Sequence, residues 1–356
     1  MSKVKLLVVV FSIILLSQVF LGSAATGTGD SWIAKASMPT GRLWCESVAD
    51  TNCMIYVIGG SDVPTDRYSM IVGVNEMYNP DTDTWTAKKS MPTPRENFGL
   101  ATSQNKIYAI GGRLNSYWAV TSVNEVYDIV TDTWEKKASL PSARACVDAN
   151  VVNGKIYVIG GRSSAYFSSC LNDTLVYDIE SDVWCYKEPP PINIGNYVSA
   201  VIDNKIYILF YETGPLWIYD TDADKWSQGA AIPISGYHSA MCATTGEISP
   251  KRLYVMGGGL DVVQTYEPAT NKWSKGIQMS TERYAFSIAV LNDNIYTIGG
   301  ASVDGRGDAN EVYTPGTYYK ISNPQINSTI VVVVAIIMTL SGIVLIRLKI
   351  KKTRHP

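Results

Sequence analysis

The sequence predicts an all-β domain, a six-bladed β-propeller whose ring is closed by an N-terminal outer strand, followed by a C-terminal transmembrane helix. Three regularities predict the ring. A pair of glycines closes a short β-branched run, a tyrosine stands seven residues before a tryptophan, and both marks recur together over about 42 to 53 residues. That period is the length of one four-stranded propeller blade.

The glycine pairs are Gly59-Gly60, Gly111-Gly112, Gly160-Gly161, Gly257-Gly258 and Gly299-Gly300, each after a run such as Ile55-Tyr56-Val57-Ile58. A sixth run, Ile206-Tyr207-Ile208-Leu209, has Phe210 where glycine is expected. The aromatic marks are Tyr78 and Trp85, Tyr127 and Trp134, Tyr177 and Trp184, Tyr219 and Trp226, Tyr266 and Trp273. Between them lie turns such as Asn79-Pro80-Asp81-Thr82-Asp83, whose residues suit a tight hairpin. Fixed spacing pins the strand register, because a one-residue slip turns the tryptophan to the other face. Met38-Pro39, Met91-Pro92, Leu140-Pro141 and Ile232-Pro233 mark the ends of outer strands. The last copy has Gly299-Gly300 and Tyr313 but Lys320 in place of a tryptophan, whereas Trp32-Ile33-Ala34-Lys35 reads as an outer strand with no blade before it. That N-terminal segment is therefore expected to complete the last blade, which removes exposed sheet edges. The competing arrangement completes it with Thr317-Tyr318-Tyr319-Lys320.

Composition agrees with a sheet protein. The 22 Tyr and 9 Trp against 6 Phe suit half-buried strand positions and wet binding surfaces. A net charge of −2 over 356 residues gives no general attraction to nucleic acid.

The succession of Arg, a hydrophobic strand ending in Gly-Gly, Tyr, Trp and Met-Pro resembles the kelch repeat from residue 31 to about 321. The resemblance implies a propeller that recognises a protein or a glycan. It also leaves open an alternative, an exported carbohydrate-active enzyme of the sialic acid isomerase-like kelch type; fold alone does not choose between them. Copper oxidase chemistry, which other kelch-bearing families carry, needs several His ligands, and the exported part has His238 alone. No metal, cofactor or catalytic residue is singled out; the enzyme alternative would draw on acidic residues such as Glu96 or Glu282.

Both ends of the chain point to export and anchoring. Lys3 and Lys5, the apolar run Leu6 to Leu21 and the small residues Gly22, Ser23, Ala24 and Ala25 read as a signal peptide over residues 1–25. An uncleaved N-terminal anchor is the rival. The propeller is assigned to residues 26–322 and a juxtamembrane linker to 323–328. Thr329 to Ile346 is uncharged and just long enough to span a bilayer. Arg347, Lys349, Lys351, Lys352 and Arg354 in the tail 347–356 place that end in the cytoplasm and the propeller outside, as a single-pass type I protein. A cleaved lipid-anchor signal is the rival, although such signals end without a basic stop.

Export makes the six cysteines disulfide candidates. Cys45 and Cys53 straddle an expected turn and are the first pair to test, while Cys146, Cys170, Cys185 and Cys242 allow several pairings. Asn172 and Asn327 fit the glycosylation acceptor pattern.

Binding residues are sought on the face where inner strands begin and where the loops after the second strands return. Arg42, Arg95, Arg144 and Arg283 stand sixteen or seventeen residues before a glycine pair. They are read either as a cationic ring for carboxylate or phosphate groups or as donors to carbonyls of a neighbouring blade. The pattern lapses at Asn193 and near Ser235. The loops of blades 1 to 3 are long and carry Tyr68, Tyr117, Trp118 and Tyr166, aromatics that offer large contact area on a rigid scaffold. Tyr237 and His238 complete the binding candidates, and lone His238 reads more readily as a packed or hydrogen-bonded residue than as a catalytic one.

Overall fold

The computed structural model describes residues 29–62, 70–166, 169–210, 214–301, 305 and 307–316. The expected signal peptide, transmembrane segment, linker and tail, together with Tyr68 and Asn327, lie outside the described residues.

Six antiparallel four-stranded sheets are arranged around one axis. From the axis outward, blade 1 comprises Glu46–Ala49, Ile55–Ile58, Asn75–Asn79 and Thr84–Lys88. Blade 2 comprises Gly99–Ser103, Lys106–Ile110, Asn124–Asp128 and Thr133–Lys137. Blade 3 comprises Ala149–Val152, Lys155–Ile159, Thr174–Asp178 and Val183–Lys187. Blade 4 comprises Tyr197–Ile202, Lys205–Phe210, Leu216–Asp220 and Lys225–Gly229. Blade 5 comprises Ser239–Ala243, Leu253–Gly257, Val263–Glu267 and Lys272–Lys275. In blade 6, Ser287–Leu291, Asn294–Ile298 and Asn310–Thr314 are completed by Ser31–Ala34 from the N-terminal end.

The second strand of each blade is apolar at nearly every position past its first residue because both of its faces are covered. Ile55, Tyr56, Val57 and Ile58 are all buried, the continuous pattern of a strand packed on both sides. One face meets the blade before and the other the blade after. Thus Ile55 and Val57 pack with Ala289, Tyr296 and Ile298 of blade 6, and Tyr56 and Ile58 with Leu100, Ile107 and Tyr127 of blade 2.

The N-terminal strand closes the ring in the register of the repeat. Trp32 lies opposite Tyr313 with ring centroids 5.0 Å apart. Tyr78 and Trp85 of blade 1 are likewise opposite, at 4.9 Å. The missing tryptophan of the last copy is therefore supplied from the other end of the chain.

The Tyr, Asp and Trp marks of a blade grip the backbone N–H and carbonyl of one residue of the blade before it. Tyr78 donates to Asp83 at 2.6 Å, and the same Asp83 oxygen accepts the Ala36 N–H at 2.8 Å. Trp85 Nε1 donates to the Ala36 carbonyl at 2.8 Å. The pattern repeats with Lys89 held by Asp132 and Trp134, Ala138 by Asp182 and Trp184, Glu188 by Asp224 and Trp226, and Ala230 by Asn271 and Trp273. Asp83, Asp132, Asp182, Asp224 and Asn271 all have φ between 52° and 55°, a left-handed conformation that Asp and Asn tolerate best among residues with side chains. The turn therefore needs Asp or Asn twice over, for its backbone and for its acceptor.

The glycine pair serves the next interface. Gly60 N–H donates to the Arg95 carbonyl at 3.0 Å, while a Cβ on Gly59 would stand 2.6 Å from that oxygen.

The cysteine expectation needs correction: the structure holds no disulfide among its six cysteines. Glu46 pairs with Ile58 and Ala49 with Ile55, so Cys45 lies at the end of the hairpin opposite the turn that carries Cys53. Several residues of strand at about 3.3 Å each separate them, beyond the roughly 7 Å that a bridge allows between Cα atoms. Cys45 is instead buried against Ser287 Oγ, 3.9 Å away.

Asp83→Ala removes the acceptor shared by Tyr78 and Ala36 and leaves a buried hydroxyl unsatisfied, at an expected cost of about 2 kcal/mol in urea unfolding. The Tyr78 hydroxyl and the Ala36 N–H hold the Asp83 carboxyl below its ordinary range. A lowered folded pKa gives stability that is present above the unfolded value, about 3.9, and is lost as pH falls through the folded one. The gap between wild type and variant should accordingly narrow in strong acid.

Candidate functional site

In blades 1, 2, 3 and 6 the segment leading into the inner strand and the loop after the second strand are pinned together on one face. Leu43 bridges Ser61, Glu96 bridges Arg113, Ala145 bridges Arg162 and Tyr284 bridges Ala301. This loop face carries three layers of functional interest: the buried arginines, a mouth around the axis, and an aromatic surface on blades 2 and 3.

The four arginines do not form a cationic ring. Arg42, Arg95 and Arg144 are 0% exposed and Arg283 is 1% exposed. Each is paired with a carboxylate on the third strand of the blade that it introduces, or just before that strand. Arg42 reaches Glu76 at 2.7 Å, Arg95 reaches Glu125 at 2.6 Å, Arg144 reaches Asp173 at 2.8 Å, and Arg283 reaches Glu311. Other donors take carbonyls of that same blade, such as Gly59 and Val74 for Arg42, Ala109 for Arg95 and Gly160 for Arg144. The physical reason is desolvation: a charge buried this deeply persists only when paired and hydrogen-bonded. In blades 4 and 5 the equivalent positions are Ile194, whose carbonyl accepts the Gly161 N–H at 2.8 Å, and Gly236, which packs on Gly258. The lapse falls one residue beyond Asn193.

Two residues after each of these positions the chain turns left-handed, at Trp44, Asn97, Cys146, Asn196, His238 and Ala285, with φ between 50° and 54°. Their peptides link around the axis: Trp44 N–H donates to Ala285, Asn97 to Trp44, Cys146 to Asn97 and Ala285 to His238, at 2.8 to 3.4 Å. Below this belt lies a cavity of about 170 Å3, whose lining includes Trp44, Glu46, Ser47, Asp148, Asn150 and His238. Burial pushes the Glu46 carboxyl well up, and the Asp148 charge adds to the rise. Burial also pushes Asp148 up to about 6, against two bonds from the Ser199 N–H at 2.6 Å and hydroxyl at 2.8 Å. Both residues line the cavity and both keep part of their surface exposed. Burial lowers the His238 imidazole, which is neutral at pH 7; its ring stands edge-on to Trp44, 6.2 Å away.

On blades 2 and 3, Trp118 joins two loops. Arg113 lies 5.1 Å from its ring centroid and Arg162 lies 4.6 Å from it. Arg113 also pairs with Glu96, which accepts from Ser61 of blade 1. A continuous set of contacts thus crosses blades 1, 2 and 3. Tyr117 and Tyr166 stand beside it at 92% and 75% exposure.

The KLHDC2/KLHL20/DRC7 Kelch-repeats domain matches residues 16–210. The chain belongs to the kelch-repeat family. Kelch-like protein 23 of Mus musculus is 26% identical over 133 residues, covering 35% of this chain and 21% of that protein. Kelch-like protein 35 of Mus musculus is 23% identical over 275 residues, covering 74% of this chain and 45% of that protein. The chain therefore spans less than half the length of these kelch relatives. The solved structure of YjhT superposes with a TM-score of 0.64 at 17% identity, covering 78% of this chain and 95% of that one, a likeness of fold alone.

The kelch ring places the other expected residues plainly. Tyr237 is exposed, His238 lines the axial cavity, and Asn172 is exposed beside Asp173. Glu96 is committed to Ser61 and Arg113, and Glu282 is exposed at the surface. The sequence reading passed over Trp44, Glu46 and Asp148. Their one signal is position: each lies two or four residues after an arginine of the repeat.

Arg95→Leu leaves Glu125 buried without its cation and should cost about 3–5 kcal/mol in chemical unfolding, with the Arg95→Leu/Glu125→Leu double variant recovering much of it. The Asp148 prediction runs the opposite way to that for Asp83. A raised folded pKa gives stability that is present below the unfolded value and is lost as pH rises through about 6. Asp148→Asn should therefore be more stable than wild type at pH 7.5, by a margin that shrinks toward pH 5, and the Asp148 carboxyl should titrate near 6 by carbon NMR.

Proposed function

We propose that this kelch propeller is a protein-binding module that docks its partner on the loop face of blades 1 to 3. The observation that carries the reading is Trp118 held between Arg113 and Arg162, at 5.1 and 4.6 Å. An aromatic clamped between two guanidinium groups from adjacent blades has little conformational freedom left to lose on binding. The exposed rings of Tyr117 and Tyr166 flank it, and Tyr, Trp and Arg are the residues that most often anchor protein interfaces. In the sequence, the blade 1 loop carries a further aromatic, Tyr68. The basic N-terminal end with its apolar run, and the uncharged Thr329 to Ile346 segment with its basic flank, support a placement of the propeller outside the cell on a single-pass anchor.

Two measurements test this reading. Full-length chain displayed on cells should be labelled by an impermeant reagent on propeller lysines, with the 347–356 tail reached only after permeabilisation. Panels of extracellular proteins and of glycans should yield a protein ligand whose affinity falls by about 30-fold or more in Trp118→Ala, the size of an interface hot spot, with the thermal midpoint unchanged. A glycan ligand, or a protein ligand indifferent to Trp118→Ala and Tyr117→Ser, would overturn the assignment.

A further inference from the structure

The loop of blade 3 departs from the repeat at one point. In blades 1, 2, 5 and 6 the residue two places before the third strand gives its carbonyl to an N–H just beyond an outer strand. Gly73 accepts from Met91 at 2.7 Å, Ser122 from Leu140 at 2.9 Å, Asp261 from Met279 at 2.7 Å and Asp308 from Met38 at 2.8 Å. The corresponding pair in blade 3 is Asn172 and Pro190. Proline has no N–H, so this tie is lost. The four tied residues are buried or half-buried, whereas Asn172 is exposed. Among the described residues, none hydrogen-bonds the Asn172 side-chain amide.

The residues on either side are firmly held. Leu171 N–H donates to the Gly161 carbonyl at 2.9 Å, and the Leu171 carbonyl accepts the Ile194 N–H at 2.7 Å. Asp173 pairs with buried Arg144, and its carbonyl accepts the Gly160 N–H at 2.9 Å. Thr174 is 0% exposed and donates its hydroxyl to the Glu188 carbonyl at 2.8 Å. Asn172 is thus presented to solvent from an anchored backbone, and nothing in blade 3 uses its side chain. Asn172-Asp173-Thr174 also has the acceptor pattern for N-glycosylation, a modification that sets a bulky hydrophilic group on a surface position. The lost tie and the acceptor pattern fall on the same residue.

We propose that Asn172 carries an N-linked oligosaccharide, attached before blade 3 folds. The Asn172 Nδ2 attacks the anomeric carbon of an oligosaccharide carried on a lipid diphosphate. The carbon–nitrogen bond forms as the bond from that carbon to the diphosphate oxygen breaks; the lipid diphosphate leaves with the electron pair, and the Nδ2 proton passes to a base of the transferase. The acceptor pattern includes the Thr174 hydroxyl, which the folded blade keeps buried and bonded to Glu188. The transferase therefore meets a complete acceptor only on the unfolded chain. Such transfer rests on the placement of the propeller outside the cell that the two chain ends support. The glycan marks the blade 3 limit of the Trp118 surface: Arg162, 4.6 Å from the Trp118 ring, bridges Cys170, and Asn172 stands two residues further on, about 7 Å of strand.

Translation of the full-length chain into microsomes, read by protease protection and by peptide mass spectrometry, tests the site. The propeller should be shielded from protease and should carry a glycan at Asn172 that peptide N-glycosidase removes, leaving an aspartate at that position. Asn172→Gln should lose this glycan completely while the thermal midpoint of the purified chain holds, since the amide has no partner to lose. Asn327→Gln should leave it in place. Thr174→Ser, which keeps the hydroxyl, should retain modification, and Thr174→Val should abolish it. Folded, unglycosylated full-length chain offered to the transferase with its lipid-linked donor should be modified at least about tenfold more slowly than an acceptor peptide of residues 169–178, because the folded site must first open. A chain cut by protease along its whole propeller overturns the outside placement and the glycosylation together. A shielded chain that is bare at Asn172, or whose glycan count is unchanged by Asn172→Gln, overturns the glycosylation alone. A folded chain modified as fast as the peptide overturns the order of events.

Discussion

A single residue just beyond the outer strand of five of the six blades holds neighbouring blades in place. Its N–H is taken by an Asp or Asn and its carbonyl by a Trp, both from the next blade, as Ala36 is taken by Asp83 and Trp85. The apolar layers between blades supply most of the attraction, but hydrophobic contact is non-directional. Five repeats of this two-way grip supply the direction, setting both the height and the rotation of one sheet against the next. Closure uses the same part. The strand Ser31–Ala34 belongs to blade 6, and Ala36 just beyond it is gripped by blade 1, so one short segment finishes a sheet and locks the ring at once.

The loop face is stiffened by a second device, the buried arginine. Each guanidinium ties the segment entering a blade to the second and third strands of that blade, and its carboxylate partner keeps the charge tolerable in a dry interior. Four blades carry the device, whereas blade 4 substitutes Ile194 and blade 5 substitutes Gly236. The ring is therefore regular in its outer parts and unequal at the face where binding is proposed. Blades 1 to 3 combine this stiffening with the long loops, which is the physical setting in which Trp118 can be held between two arginines from different blades.

The axial belt shows how the repeat makes a cavity. Six left-handed residues turn the chain at equivalent positions, and backbone hydrogen bonds join those of blades 5, 6, 1, 2 and 3 in turn. The repeat constrains the backbone there but leaves the side chain free to vary, so the positions carry Trp, Asn, Cys, His and Ala in one ring. A rigid backbone rim with variable side chains is a scaffold on which a specific pocket can be built without disturbing the fold.

Much of the architecture was legible in the residues themselves. The Tyr-to-Trp spacing, the glycine pairs and the orphan Trp32 segment fixed blade number, register and closure, because each rests on local chemistry that repeats: an alternation of faces, a left-handed turn, a backbone approach that only glycine permits. Less of the site was legible. Arg42, Arg95, Arg144 and Arg283 suggested a cationic ring, yet their partners stand 28 to 34 residues further along and consume the charge inside each blade. Cys45 and Cys53 looked adjacent across a turn, but the register places them at opposite ends of the hairpin. Glu46 and Asp148 drew no attention, being ordinary acids in different repeats. By itself, then, the sequence determined the ring; only the tertiary structure decided which charges are neutralised and which remain facing the axis, because neutralisation depends on groups that distant segments bring within a few ångströms.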